Sequence, residues 1–251
     1  MASEFEGPRT AIVTGGARRI GAAICRALAA DGWHVLIHHH RSHEEAEALA
    51  AELGNAATVG ADLAEPEAPA AIVEALAGLP PARLLVNNAS LFVYDAADSF
   101  TVESWDSHLR VNLRAPALLS QALSPRLGLI VNMLDAKLSA PNPDFFSYTV
   151  SKQGLAGLTE LLARAWASRG IRVCGIAPAV TLVSGAQSGE NFDSVHALNA
   201  LGRGVAVEEI VAALRFIVAT PTFTGQTIVL DGGQRFLSLP RDVQFLEISD
   251  E

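Results

Sequence analysis

The sequence predicts an α/β protein folded as one doubly wound domain around a mostly parallel sheet of seven strands. The chain has 251 residues, 50% of them hydrophobic, and a mean hydropathy of +0.28. Short apolar runs rich in β-formers alternate with helical patterns, and several runs, such as residues 84–86, are continuously apolar. Such runs are typical of parallel strands covered on both faces. Since no Pro-, Gly- or Ser-rich linker divides the chain, we expect residues 1–251 to form a single domain.

The alternation yields seven strands and six helices, and right-handed crossovers then place helices on both faces of the sheet. The predicted strands are Thr10–Val13, Trp33–His38, Ala56–Gly60, Leu84–Asn87, Leu127–Asn132, Ile171–Ile176 and Thr227–Leu230. The predicted helices lie near residues 20–30, 43–53, 66–77, 101–121, 147–168 and 206–219.

Two segments depart from the alternation. Residues 178–204 are rich in Ser, Gly and Asn, and a connection of that length is typical of a binding loop or a lid. We interpret it as a substrate loop. Residues 235–251 form an apolar C-terminal tail, which we expect to pack against this subunit or against a neighbouring one. The apolar side chains of the tail are Phe236, Leu237, Leu239, Phe245 and Leu246.

The charge balance argues against nucleic acid and membrane surfaces as partners. The chain has 18 Lys and Arg against 27 Asp and Glu, a formal net charge of −9, which repels both polyanions. No apolar run reaches 18 residues, and the N-terminal residues are acidic without an apolar leader core. The isolated Cys25 and Cys174 are typical of buried small side chains in a reducing compartment. We therefore expect a cytoplasmic protein.

A glycine-rich turn follows the first predicted strand and opens the first helix. It reads Thr14-Gly-Gly-Ala-Arg-Arg-Ile-Gly21, and such a turn directs backbone N–H groups and the helix dipole at a phosphate. A tight strand-to-helix turn without a ligand is the alternative. In an alternating chain the pattern indicates a Rossmann-type dinucleotide site. Its candidate cofactor-binding residues are Gly15, Arg18, Arg19, Ile20 and Gly21.

The end of the second strand favours NADPH over NADH. The strand ends in three histidines, His38 to His40, followed by Arg41 and Ser42, with no acid before Glu44. A guanidinium and a hydroxyl at this position suit a 2′-phosphate, whereas an acid would accept from the ribose 2′-hydroxyl. A metal site at His38 and His40 is the alternative, but no second ligand cluster accompanies them. Residues at the carboxyl ends of the next two strands are also expected at the cofactor: Asp62, Leu63, Asn88, Ala89 and Ser90.

Tyr148 and Lys152 lie four residues apart at the start of a predicted helix and therefore share one of its faces. We expect the lysine charge to lower the pKa of the tyrosine, so that Tyr148 exchanges a proton while hydride moves at a nicotinamide. An ordinary pair on a helix surface is the alternative.

These motifs together resemble the short-chain dehydrogenase/reductase superfamily over essentially the whole chain. The matching residues are Thr14-Gly15 to Gly21, Asp62, Asn87-Asn88-Ala89, Asn112, Tyr148, Lys152, Pro178 and Asp231-Gly232-Gly233. The resemblance implies an NADP-binding oxidoreductase in which Asn112 and Lys152 orient a proton relay. It also implies a homotetramer, because the last elements of the superfamily fold assemble one.

Four departures from the superfamily pattern are similar to its pteridine reductase branch. Arg19 replaces the middle glycine of the turn, and the second strand ends in the His-x-His-Arg-Ser pattern of that branch. Ser90, followed by Leu and Phe92, stands where most relatives have glycine. Asp135 stands where the superfamily has its catalytic serine. The resemblance implies reduction of a dihydropterin (dihydromonapterin, dihydrobiopterin or dihydrofolate) to its tetrahydro form.

The same residues make chemical sense for a pterin, whose reducible bond is C=N. Asp135 and Tyr148 would relay a proton to a ring nitrogen, and Phe92 would hold the flat ring against the nicotinamide. Ser90 would bond polar ring atoms and Arg19 would bridge phosphate and pterin. Packing in the core is the alternative for Phe92.

Two other functions remain open. A carbonyl reductase acting on a ketone, alcohol or acyl thioester would share the fold, although Asp135 in place of serine argues against it. A regulator that binds NADPH without catalysis would not need Asn112, Tyr148 and Lys152. The residues after Pro178 do not match the sequence of these relatives. This is the segment in which superfamily members with different substrates differ.

Overall fold

The computed structural model describes Phe5 and residues 7–184 and 187–246 of the chain. Seven strands form one sheet in the order β3-β2-β1-β4-β5-β6-β7. Every neighbouring pair in this sheet is parallel, which confirms the predicted fold class. The strands are β1 (Thr10–Val13), β2 (His34–His39), β3 (Ala56–Gly60), β4 (Ala82–Asn87), β5 (Leu129–Met133), β6 (Arg172–Pro178) and β7 (Thr227–Leu230).

The described residues contain eight α-helices. They are α1 (Arg19–Ala30), α2 (His43–Leu53), α3 (Ala68–Glu74), α4 (Val102–Leu109), α5 (Ala115–Leu123), α6 (Phe146–Trp166), α7 (Gly189–Val195) and α8 (Val207–Ala219). The single helix predicted near 101–121 is wrong in detail, because a π-helical segment, Arg110–Arg114, separates α4 from α5. Helix α7 lies in the long substrate loop, where no helix was predicted.

Two apolar layers hold the helices on the sheet. Successive strand residues point to opposite faces, so Val13 joins α1 and α8 on one side while Ile12 joins α3 and α5 on the other. Cys25 and Cys174 are buried in the first layer with no exposed surface, as predicted. Among residues 7–184 and 187–246, no helix is long and apolar enough to cross a membrane.

The sheet topology places one crevice at its carboxyl edge. Strand β1 pairs with β2 on one side and β4 on the other, so the chain reverses its direction of winding between β1 and β4. Ligands of open α/β sheets bind where the strand order reverses. The turn after β1 and the loop after β4 therefore meet at the point where a ligand is expected.

This meeting point leaves no room for a side chain at Gly21. A Cβ atom built on Gly21 would lie 2.2 Å from the carbonyl oxygen of Gly15 and 2.8 Å from Nδ2 of Asn88. Since real Cβ contacts are longer, only glycine lets the first turn of α1 approach the β1 turn this closely.

We predict that Gly21→Ala lowers stability by roughly 1–3 kcal/mol, the usual cost of overpacking, and weakens cofactor binding. Gly157→Ala is a matched control, because Gly157 is an exposed position of α6 where a Cβ would meet no atom within 4 Å. The control should raise stability slightly by its helix propensity. Denaturant unfolding measures both, and equal stability of Gly21→Ala and the parent would contradict the steric argument.

Candidate active site

A cleft of about 860 Å³ runs along the carboxyl edge of the sheet, from the end of β2 to the C-terminal tail. Two of the predicted site residues do not line it. Leu63 packs in the apolar layer of α3 and α5, and Asn112 has no exposed surface. The predicted residues that the structure brings together in the cleft are Gly15, Arg18, Arg19, Ile20, Gly21, His40, Arg41, Ser42, Asp62, Asn88, Ala89, Ser90, Phe92, Asp135, Tyr148, Lys152 and Pro178.

A buried histidine fixes the glycine turn. The backbone N–H of Gly15, which has a φ of +60°, donates to Nδ1 of His38 at 3.1 Å. Nε2 of the same ring lies 3.0 Å from the carbonyl oxygen of Ala61, so it is the nitrogen that carries the hydrogen. Burial lowers the pKa of His38 to about 4. His38 is therefore a neutral bridge between the ends of β1 and β3, and both of its ring nitrogens are occupied by hydrogen bonds rather than by a metal.

The loop after β4 locks the turn from the other side. Nδ2 of Asn88 donates to the carbonyl oxygens of Thr14 and Gly15 at 2.9 and 3.1 Å. The Thr14 hydroxyl accepts from the backbone N–H groups of Asn88 and Ala89 at 2.9 and 3.0 Å. The turn is thus held rigidly before any ligand arrives.

The β2 end of the cleft presents two guanidinium groups. Arg41 is exposed, next to the half-buried Ser42, and Arg18 lines the same part of the cleft. Arg18 lies 3.4 Å from Glu45, but both side chains are largely exposed and such pairs contribute little. This end can therefore bind a phosphate, as the sequence predicts for a 2′-phosphate.

Arg19 adopts the left-handed conformation, with a φ of +55°, at the position where the superfamily has a glycine. For a residue with a side chain this conformation costs about 1–2 kcal/mol. Its guanidinium crosses the cleft and donates to the hydroxyl of Ser184 at 3.2 Å. Arg19 thus reaches from the glycine turn to the loop after β6.

A direct hydrogen bond joins the two predicted proton-transfer residues. The Tyr148 hydroxyl donates to Oδ2 of Asp135 at 2.7 Å, and Oδ1 of Asp135 accepts from the backbone N–H of Lys137 at 2.8 Å. Helix α6 places Lys152 one turn after Tyr148, where its Nζ donates to the carbonyl oxygen of Met133 at 2.7 Å. The side chains of Tyr148 and Lys152 are buried and that of Asp135 is half-buried.

The electrostatics of this group differ from the sequence prediction. Burial raises the pKa of Asp135 and lowers that of Lys152 to about 8. The pKa of Tyr148 is raised well above its usual value, first by burial and then by the Asp135 carboxylate. The prediction that Lys152 lowers the pKa of Tyr148 is therefore wrong for this structure, because the charged group bonded to the phenol is an acid. Both groups of the pair therefore hold their protons to a higher pH than they would in water.

The side chain of Asn112 is held at the loop after β4. It accepts from the backbone N–H of Leu91 at 2.7 Å and donates to the Leu91 carbonyl oxygen at 2.9 Å and to the Ser151 hydroxyl at 3.0 Å. The orientation of a proton relay by Asn112 and Lys152 stays a prediction. Asn112 holds the backbone at Leu91, and with it the neighbouring Ser90 and Phe92.

Phe92 is half-buried at the cleft wall. Its ring stacks on Phe145 with centroids 4.1 Å apart and meets the Tyr148 ring edge-on at 4.7 Å. The ring thus packs on aromatic neighbours and also lines the cleft beside Tyr148, and its support of a flat substrate ring stays a prediction.

The sequence interpretation missed several residues at the substrate end of the cleft. Lys137 and the tail residues Asp242, Val243 and Gln244 line it, and Asp144 lies buried beside the tail. The apolar character of the tail predicted that it packs on this subunit or on a neighbour. Within the described part, up to residue 246, Phe245 packs on this subunit and contacts Tyr94 at a centroid distance of 5.0 Å, whereas Phe236 and Leu237 are exposed. No local sequence pattern identifies Lys137, Asp144, Asp242 and Gln244 as residues of the cleft or its surroundings.

Comparison with known proteins agrees with this geometry at the level of the family. The family model for short chain dehydrogenase matches residues 9–193. The chain is 35% identical to D-threitol dehydrogenase of Mycolicibacterium smegmatis, over 90% of this chain and 92% of that protein. It is 30% identical to a 3-oxoacyl-[acyl-carrier-protein] reductase of Synechocystis, over 90% of this chain and 96% of that one.

Among solved structures, FolM alternative dihydrofolate reductase 1 from Brucella canis, complexed with NADP, is 41% identical with a TM-score of 0.86, covering 90% of this chain and 94% of that chain. The Brucella suis protein, also with NADP, is 41% identical with a TM-score of 0.87, covering 90% and 95%. These complexes agree with the expected NADP-type cofactor. The fold, the cleft and the family match together show that the chain belongs to the short-chain dehydrogenase family of oxidoreductases.

Proposed function

We propose that this protein is an NADPH-dependent pteridine reductase that reduces a dihydropterin, such as dihydromonapterin, dihydrobiopterin or dihydrofolate, to its tetrahydro form. The observation that carries the proposal is the 2.7 Å hydrogen bond between Tyr148 and Asp135. It places a carboxyl group, rather than the serine hydroxyl of the wider family, beside the catalytic tyrosine. The similarity to the two Brucella structures supports the same conclusion.

The residues along the cleft fit the dinucleotide. The backbone of the turn from Gly15 to Gly21 would hold the pyrophosphate at the start of α1, and Arg41, Ser42 and Arg18 would hold the 2′-phosphate. The lack of space for a side chain at Gly21 keeps the start of α1 packed against the turn that would hold the pyrophosphate. When bound, the nicotinamide supplies a hydride.

The chain's own residues would deliver the proton. Reduction of a C=N bond adds a hydride to carbon and a proton to nitrogen, so the protein must provide one proton for each turnover. Tyr148 would donate its phenolic proton to the ring nitrogen and take up another from Asp135 across their hydrogen bond, and Asp135 would regain a proton from solvent before the next turnover. Asp135 suits this role because burial raises its pKa, which keeps the carboxyl protonated at a higher pH than an ordinary aspartate. Phe92 would support the flat ring, and Lys152 would hold the cofactor ribose.

A second candidate is a carbonyl reductase of the same fold, which the named functions of the curated relatives favour. Such an enzyme would use the serine hydroxyl of the wider family to bond the ketone oxygen, and this chain has Asp135 at that position. A regulator that binds NADPH without catalysis is the third, and the bonded Tyr148–Asp135 pair argues against it.

We further propose that the protein is a cytoplasmic homotetramer. The apolar side chains of Phe216, Phe236 and Leu237 are exposed on the single chain, and an interface would cover them. The buried side chains of Cys25 and Cys174 are in keeping with a reducing compartment.

We predict that NADPH outcompetes NADH by at least ~10-fold, about 1.4 kcal/mol. Arg41 and Ser42 would bind the 2′-phosphate, and no acidic residue stands at the end of β2 to bind the 2′-hydroxyl of NADH instead. Arg41→Ala should remove most of this preference by raising KM for NADPH alone. Steady-state kinetics with both cofactors measures the effect, and equal use of NADH and NADPH by the parent protein would refute the cofactor assignment.

We predict that Tyr148→Phe loses ~10²-fold or more in kcat while NADPH binding survives, since only the phenolic proton is removed. Lys152→Ala should damage both binding and turnover. Fluorescence titration with NADPH and turnover assays separate the two effects. Near-normal turnover of Tyr148→Phe would reduce the pair to a structural contact.

We predict that turnover on 7,8-dihydrobiopterin falls as pH rises through the apparent pKa of the Tyr148–Asp135 pair. The direction follows because the protonated pair is the donor, and burial, by raising the pKa of Asp135, extends activity upward in pH. Asp135→Asn should abolish this titration together with most of the rate.

Asp135→Ser restores the residue of the wider family and should lose pterin reduction, with a gain of weak activity on an activated dicarbonyl. Turnover of the parent and both variants on the two substrates across pH gives the comparison. If Asp135→Ser reduced the pterin as well as the parent does, the proposed substrate class would lose its physical basis.

A further inference from the structure

The C-terminal residues Arg241–Phe245, here called the strap, cross the substrate half of the cleft. Asp242, Val243 and Gln244 line the cleft, and Val243–Phe245 form a short 3-10 helix. The strap belongs to the same chain as the catalytic pair, and it is attached on both sides of the opening.

The first attachment is to the start of the catalytic helix. Oδ2 of Asp144 accepts from Nε of Arg241 at 2.7 Å and from the backbone N–H of Asp242 at 2.8 Å. The Asp144 side chain is only 5% exposed, and hydrogen bonds to a buried carboxylate are among the stronger ones. Asp144 precedes Phe145, which stacks on Phe92, so this anchor also connects the strap to the aromatic wall of the cleft.

Lys137 links the strap to the catalytic carboxyl. Its Nζ lies 3.2 Å from Oδ2 of Asp242 and 2.5 Å from the Asp144 carbonyl oxygen, and its side chain is 9% exposed. The backbone N–H of the same residue donates to Oδ1 of Asp135. One residue thus contacts both the strap and the proton donor.

The second attachment is to the loop after β6. Nε2 of Gln244 donates to the Ser184 carbonyl oxygen at 2.7 Å, and the Ser184 hydroxyl accepts from Arg19. Phe245 packs on Tyr94 and Phe145, with centroid distances of 5.0 and 5.9 Å. The strap is therefore held from α6 on one side and from the substrate loop on the other.

We propose that the strap is a substrate-positioning element that closes the pterin site in cis, with Arg241 and Gln244 as positioning residues and Asp242 facing the substrate. The cofactor residues at Gly15 and Arg41 lie toward the other end of the cleft. Loss of the strap should therefore impair binding of the pterin and leave binding of NADPH intact. This inference rests on the proposed function for the identity of the substrate.

The test uses Arg241→Ala, Asp144→Asn and their double variant, with Gln244→Ala for the second attachment. We expect each single variant to raise KM for 7,8-dihydrobiopterin by ~10-fold, with a smaller change in kcat. The dissociation constant of NADPH, from fluorescence titration, should stay within ~2-fold of the parent. Because Arg241 and Asp144 act through one contact, the double variant should be little worse than either single variant. Arg241→Lys, which keeps the charge, should restore part of the loss.

Arg215→Ala is the matched control, because Arg215 forms an equivalent pair with Asp31, at 2.8 Å, outside the cleft. It should change neither constant. Unchanged KM in both Arg241→Ala and Asp144→Asn would overturn the proposal. So would an equal loss of NADPH affinity, which would indicate a general structural effect.

Failure of the proposed function has a different signature, since the parent would then reduce no dihydropterin. In that case hydrogen exchange tests the attachment of the strap without the need for a substrate. Asp144→Asn should speed exchange in the peptides that contain the strap and Ser184, and Arg215→Ala should not. Unchanged exchange in those peptides would overturn the closure of the site by the strap.

Discussion

The hydrogen bond from Tyr148 to Asp135 is the interaction on which the arrangement of the active site depends. A buried phenol and a half-buried carboxyl, both of raised pKa, form a pair that holds its protons to a higher pH than the same groups do in water. A C=N bond needs a proton at nitrogen as hydride reaches carbon, and the proposed function assigns the supply of that proton to this pair. The departure from the serine of the wider family is therefore the basis of the proposed chemistry.

Other polar side chains fix the loops around this pair. His38 and Asn88 connect the glycine turn to the neighbouring strands, and Asn112 holds the backbone beside Phe92. Each of these side chains bonds backbone atoms, so it fixes the path of a loop. Buried polar networks of this kind rigidify a site when they are fully bonded.

Local sequence patterns predicted the sheet and the place of the glycine turn after β1, because both rest on short-range information. Strand periodicity gave seven strands within a few residues of their bounds, and the turn from Gly15 to Gly21 is contiguous in sequence. The strap could not be predicted, since Lys137 and Asp242 are 105 residues apart and only the fold brings them together. The direction of the Tyr148 pKa was missed for a related reason. Spacing along a helix identifies Lys152 as a neighbour, but the charge bonded to the phenol comes from the end of another element.

The most direct measurement of the central claim is the protonation state of Asp135, followed by difference infrared spectroscopy of the NADP complex across pH, with Asp135→Asn to identify its band. The account predicts a protonated carboxyl band in the parent that is absent in Asp135→Asn and disappears with rising pH in parallel with dihydropterin turnover. A carboxylate that is ionised over the whole pH range of turnover would contradict it.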